Sequence, residues 1–162
     1  MDKKNNKIYC TDSGRPGLII IDISTGKAVR VLDNHFSTKA EQPFLTFNGQ
    51  KWNNTVHSDG IAFDATNKML YYHALTGYSL YAIPAEIIAK GNEKDIEAAV
   101  QLVAKTAAPD GMIVDGNGTL YFADLENNKI MYRTIDGTIK TLTAGRAIRW
   151  ADTFSIYNNY LY

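Results

Sequence analysis

Cysteine is almost absent. Cys10 stands alone in 162 residues, so no internal disulfide can staple the chain, and its apolar neighbours make it a small strand filler. No run reaches the roughly 18 apolar residues of a membrane-spanning helix, and the opening "MDKKNN" lacks the apolar stretch of a signal peptide. Net charge is missing too: 17 Lys and Arg balance 17 Asp and Glu. That leaves no basic face for nucleic acid, so neither nucleic acid nor membrane is expected as a partner. A small-molecule ligand stays open. Nothing has the pattern of a Ser-His-Asp triad, a zinc cluster or a nucleotide loop; "SGRPG" at residues 13–17 joins two strands and opens no helix. The sequons at Asn53 and Asn117 are short enough to arise by chance.

What is abundant is β-forming sequence. Ten tyrosines and many β-branched residues fall in short runs separated by Gly, Asn and Asp, the pattern of antiparallel strands with tight turns. "STGK", "TGYS" and "DGNG" have hairpin chemistry, because Gly and Asn tolerate positive φ. One stretch differs. "PAEIIAKGNEKDIEAAVQLV" has apolar spacing for a short helix, with Pro84 as its first residue and Gly91-Asn92 dividing it from a second. A helical insertion is therefore expected over 84–99.

The strands repeat. "DGIAFDATNKMLYYHALTGYSLYAI" aligns with "DGMIVDGNGTLYFADLENNKIMYRTI", and a third start, "DTFSIYNNYLY", follows at Asp152. Four short strands every 40 to 50 residues or so is the size of a propeller blade. The fold expected is all-β, a partial β-propeller of about three blades' worth of four-stranded sheets. It divides into a partial blade at about 7–33, full blades at about 59–106 and 110–144, and a partial blade at 152–162. Part of a larger protein is expected, and open blade edges would favour self-association.

Acid-glycine pairs carry the functional reading. Asp136-Gly137 lies between two strands and reads as a two-residue hairpin loop; Asp64 and Asp115 also read as turn residues. Asp59 and Asp110 each open the first strand of a blade, the strand that lines a propeller's central channel. Equivalent positions in successive blades converge at the channel mouth, with Asp152 as a third. Converging carboxylates are costly unless a cation or hydrogen-bond donors satisfy them. Hard oxygen ligands suit calcium, magnesium or manganese, so Asp59 and Asp110 are candidate metal ligands, although two acids under-fill a coordination shell. Water at the mouth is the plainer alternative. His57, just before Asp59, is a candidate ligand or base, or else a solvent-facing loop residue. Trp150, just before Asp152, and Trp52 offer an aromatic wall, or packing between blades.

The ordered set "IYCTDSGRPGLIIIDISTGKAVRVL", "HSDGIAFDATNKMLYYHALTGYSLYAIP", "APDGMIVDGNGTLYFADLENNKI" and "IRWADTFSIYNNYLY" resembles the major royal jelly protein and Yellow family over nearly the whole chain. The resemblance implies a six-bladed propeller, extracellular or periplasmic placement, and in some members binding of small amines at the channel mouth or dopachrome conversion. Trp150-Ala151-Asp152 departs from the family's usual proline in that segment. A more distant similarity joins Ala108-Pro109-Asp110-Gly111, and more loosely Ser58-Asp59-Gly60, to metal-binding motifs of gluconolactonase and regucalcin propellers. There a metal would polarise a lactone carbonyl and activate water. Three functions follow as expectations: a small-molecule binder using Asp59, Asp110, Asp152, His57 and Trp150; a metal-dependent lactonase-like hydrolase; and a protein-interaction scaffold.

Overall fold

Along "SDGIAFD" buried and half-buried positions alternate strictly, because successive side chains of a strand point to opposite faces. The structure, a computed structural model, describes residues Met1–Tyr162. In chain order, β1 (Lys7–Asp12), β2 (Gly17–Asp22) and β3 (Ala28–Val31) form a three-stranded sheet. A 3₁₀ turn at Phe36–Thr38 leads to a separate hairpin, β4 (Leu45–Phe47) and β5 (Gln50–Trp52). The first four-stranded sheet contains β6 (Ser58–Asp64), β7 (Met69–Ala74), β8 (Ser79–Pro84) and β9 (Gln101–Lys105). Helices α1 (Ala85–Lys90) and α2 (Glu93–Ala98) lie between β8 and β9. The second contains β10 (Met112–Val114), β11 (Leu120–Asp124), β12 (Lys129–Arg133) and β13 (Ile139–Ala144); β14 (Ile156–Tyr157) and β15 (Tyr160–Leu161) close the chain. Every pairing is antiparallel between neighbours in sequence. This is the expected all-β partial propeller with a helical insertion.

Asx chemistry sets the turns. Asp64 accepts from the backbone N–H groups of Thr66 and Asn67 and from the Asn67 amide; Asp2 does the same with Asn5, and Asp124 with Asn127. Asp115 accepts from the N–H groups of Asn117 and Thr119. These acids hold the chain while it reverses. Asp2 also exchanges two backbone bonds with Lys7, which places it before β1 as Asp64 stands before β7.

Several expectations need correction. The Asp136-Gly137 loop has three residues, Ile135 to Gly137, between the bonded pair Thr134 and Thr138. Gly137 takes φ +91°, as the last residue of such a loop must. Pro84 ends β8 and precedes α1 rather than starting it. Within the partial blade expected at 152–162, the first strand begins only at Ile156 and covers Ile156–Tyr157. The β4–β5 hairpin was not anticipated, yet Asn48-Gly49 carries its signal: both adopt positive φ, 51° and 79°, as a two-residue turn of this kind requires.

Three apolar clusters hold the sheets together. The largest joins Leu18, Ile20, Val31 and Leu32 to Leu70, Tyr72 and Ile83, and the helices add Ile88 and Ile96. Fully burying such a side chain contributes about 1.5–3 kcal/mol, so the insertion clamps the first two sheets. Asn92 caps α2 by accepting from the Asp95 N–H, and Glu93 accepts from the Leu32 N–H at 2.7 Å. The second cluster, around Leu45, Leu75, Ala108, Ala123 and Leu125, seats the β4–β5 hairpin between the two four-stranded sheets. The third, with Ala62, Leu80, Met112, Leu120 and Phe122, fills the space between those sheets.

Candidate functional site

Asp59 is the unpaired residue of a β-bulge. The register of β6 against β7 shifts between Ser58 and Gly60, and a bulge re-aims the side chain it carries. Its backbone carbonyl accepts from Thr11 Oγ1 at 2.6 Å. Ser58 Oγ bonds the Gly17 carbonyl at 2.9 Å, so the start of β6 is pinned against the preceding sheet.

The glycine of each pair has a packing role. A Cβ on Gly60 would stand 2.9 Å from the Asp110 carbonyl oxygen and 2.7 Å from Met112 Sδ; one on Gly111 would stand 2.7 Å from the Asp152 carbonyl oxygen. Gly111 N–H also donates to the Ala151 carbonyl at 3.2 Å. Each Gly therefore allows the next blade start to approach, and its Asp comes with it. Unlike Gly137, neither lies at positive φ.

The three expected acids are brought together. Burial raises the pKa of the Asp59 carboxyl, and the Asp152 charge raises it further. Asp110 is pushed up to about 6, first by burial; the Trp150 hydrogen bond opposes this, while Asp59 and Asp152 add to it. Asp59 and Asp110 are half-buried and Asp152 is exposed. None of the three is in an ion pair. Other aspartates differ: Asp12 pairs with Arg30 and Asp22 with Lys7.

Trp150 supplies one donor, its indole Nε1–H to Asp110 Oδ2. Its ring stands 5.1 Å from Trp52 and 5.3 Å from Phe47, and 42% of its surface is exposed. The aromatic wall thus forms, with β4 and β5 supplying two of its three members. Phe47 was missed because its hairpin was missed. A cleft of about 660 Å³ is lined in part by Trp150, with Arg146 and Arg149 among its other lining residues.

His57 stands apart from this arrangement. It is half-buried rather than solvent-facing, and its Nδ1 accepts from the Ala40 N–H at 3.0 Å. Nδ1 so engaged holds the loop after the 3₁₀ turn. His73 is buried between Ala74 O and Thr106 Oγ1, and burial pushes it down to about 4; its role is internal.

The acids do not form a metal centre by themselves. No group of three or more His, Cys, Asp or Glu side chains stands close enough to share an ion, whereas calcium takes 6–8 oxygens or so. Asp59 and Asp110, the expected ligands, would supply part of such a shell, with further oxygens needed to complete it. No helix is long and apolar enough to cross a membrane.

Comparison with known proteins places these features. Major royal jelly protein 6 of Apis mellifera is 29% identical over 135 residues, which is 80% of this chain and 30% of the bee protein. This chain therefore spans about a third of that relative's length. An auxiliary nutrient binding protein from Bacteroides thetaiotaomicron superposes with TM-score 0.65 at 13% identity, over 97% of this chain and 32% of that one. A catalytically inactive virginiamycin B lyase from Staphylococcus aureus with quinupristin gives 0.59 at 15% identity, over 95% and 43%. Both share the β-propeller fold. The family model described as Major royal jelly protein matches residues 1–155, and with blade starts, glycine contacts and sheet order in agreement, the chain belongs to the major royal jelly protein family.

Proposed function

We propose that this chain contributes the mouth of a propeller that binds a small organic cation, with an aromatic amine as the best match. The observation that carries the reading is the set Asp59, Asp110 and Asp152 at neighbouring blade starts, unpaired by any Lys or Arg, with Trp150 of the aromatic wall donating to Asp110. A cationic ligand would relieve the mutual repulsion of the acids, and its ring would stack on exposed indole; a cation over an aromatic face gains about 0.5–2 kcal/mol. The raised pKa values describe a site that gains from an incoming positive charge.

Tryptamine titrated by calorimetry at pH 7.5 should bind saturably, weakened about tenfold or more in Asp59→Asn/Asp110→Asn, since a charge-assisted bond contributes roughly 1.5–3 kcal/mol. Unchanged affinity in that variant would reject the reading. Calcium, titrated by calorimetry in parallel, separates the hydrolase alternative: stoichiometric calcium lost in Asp110→Ala would favour metal chemistry over amine binding.

A further inference from the structure

The cleft beyond Trp150 has the opposite chemistry to the acid cluster. Its apolar lining residues are Phe47, Leu125 and Trp150, and its charged ones are Arg146 and Arg149. No carboxylate lines it, and neither Arg joins an ion pair. Asn48 and Asn128 complete the lining; both hold left-handed backbone, φ 51° and 53°, as tips of tight turns that fix where their amides sit. The volume, about 660 Å³, falls in the usual range for small-molecule sites, roughly 300–1,000 Å³. Arg146 and Arg149 are both exposed and lack a carboxylate partner, so the cleft presents positive charge. A guanidinium matches a carboxylate in a planar two-bond fork and stacks on aromatic rings.

We propose that this cleft binds the carboxylate of a planar aromatic acid, with Arg146 and Arg149 as the anion-binding pair and Phe47 and Trp150 as the ring platform. The site is distinct from the acid cluster, although Trp150 borders both. A ligand carrying both an amine and a carboxylate would then engage both sites, which share Trp150, and that extension alone rests on the amine-binding reading above. Arg146 and Arg149 escaped the sequence reading because they lie in the irregular stretch between β13 and β14, where no periodicity marks a facing side.

The test uses the chain as it is, with isothermal titration calorimetry as readout and indole-3-acetate as probe. Saturable heat of binding is expected. Indole-3-acetamide, equal in shape but uncharged, should bind about tenfold to a hundredfold more weakly, and this comparison needs no variant. Arg146→Gln/Arg149→Gln should lose indole-3-acetate by a similar factor, whereas Lys94→Gln/Lys140→Gln, which removes equal charge at exposed positions elsewhere, should not. Equal binding of acetate and acetamide, or full affinity in the arginine variant, would overturn the proposal. Tryptamine binding through the aspartates with no response to indole-3-acetate would also remove this proposal while leaving the mouth reading; the reverse pattern would do the opposite.

Discussion

Replacing Asp110 by Asn should make the protein more stable at neutral pH. The side chain keeps its shape, and its amide oxygen can still accept from Trp150 Nε1–H, the bond Asp110 makes now. What disappears is a charge that is half-buried and faces Asp59 and Asp152. The carboxyl rises from its ordinary 3.8 to about 6, a difference of about 3 kcal/mol at about 1.4 kcal/mol per unit. Half of the group is open to solvent, so screening reduces this to about 1 kcal/mol. The sign follows from linkage: the folded state holds the proton more tightly than the unfolded chain, so stability falls as pH rises from 3.8 to 6 and the full loss persists above 6. Urea unfolding followed by circular dichroism, with Asp110→Asn beside the parent chain, should show the variant ahead by about 1 kcal/mol at pH 8 and the gap closing by pH 4. A variant that is less stable at pH 8, or a difference that ignores pH, would refute the account of a strained acid cluster.

Gly60→Ala and Gly111→Ala should each cost about 1–3 kcal/mol of stability by overpacking, because their new Cβ atoms would meet carbonyl oxygens at 2.9 and 2.7 Å; chemical denaturation checks this. His73, held down near 4 by burial, is protonated in the unfolded chain first, so stability should fall by about 3 kcal/mol between pH 6.5 and 4. A His73→Gln variant should lack that fall in the same melts. Asn92→Ala removes the α2 cap and should cost about 1 kcal/mol. On its own the chain should self-associate with rising concentration in sedimentation velocity: β1 and β15 each pair on one side only, and Tyr157 and Tyr160 are both 68% exposed, a combination that invites strand pairing.

The sequence showed the sheets more clearly than what lies between them. Strands such as "GIAFD" and "LYYHA" are legible because apolar and aromatic residues run between turn signals, and the acid-glycine repeat marks where blades begin. The β4–β5 hairpin went unread although Asn48-Gly49 announces its turn, because "LTF" and "QKW" are too short to show a period. Glu126 secures that hairpin from 80 residues away, accepting from the Thr46 N–H, and no local pattern reveals such a tie. His57 was placed correctly in sequence but not in role: its partner is the Ala40 N–H, which only tertiary packing supplies. Asp59 and Asp110 were legible because propeller geometry turns a repeat in sequence into proximity in space.

Aspartate recurs throughout this chain, and its uses separate by what surrounds it. Asp2, Asp64, Asp115 and Asp124 close turns by accepting nearby N–H groups. Asp12, Asp22 and Asp33 are lowered by Arg or Lys or by turn donors; each stabilises the fold as an anion. Asp59 and Asp110 do the reverse, since burial and like charge raise both. Turn closure does not require an acid at either position, because the adjoining glycine makes the close contact and Asn would supply the same shape. An unpaired acid that weakens the folded state, repeated at successive blade starts beside the Trp150 indole, is the arrangement that the proposed cation-binding mouth requires.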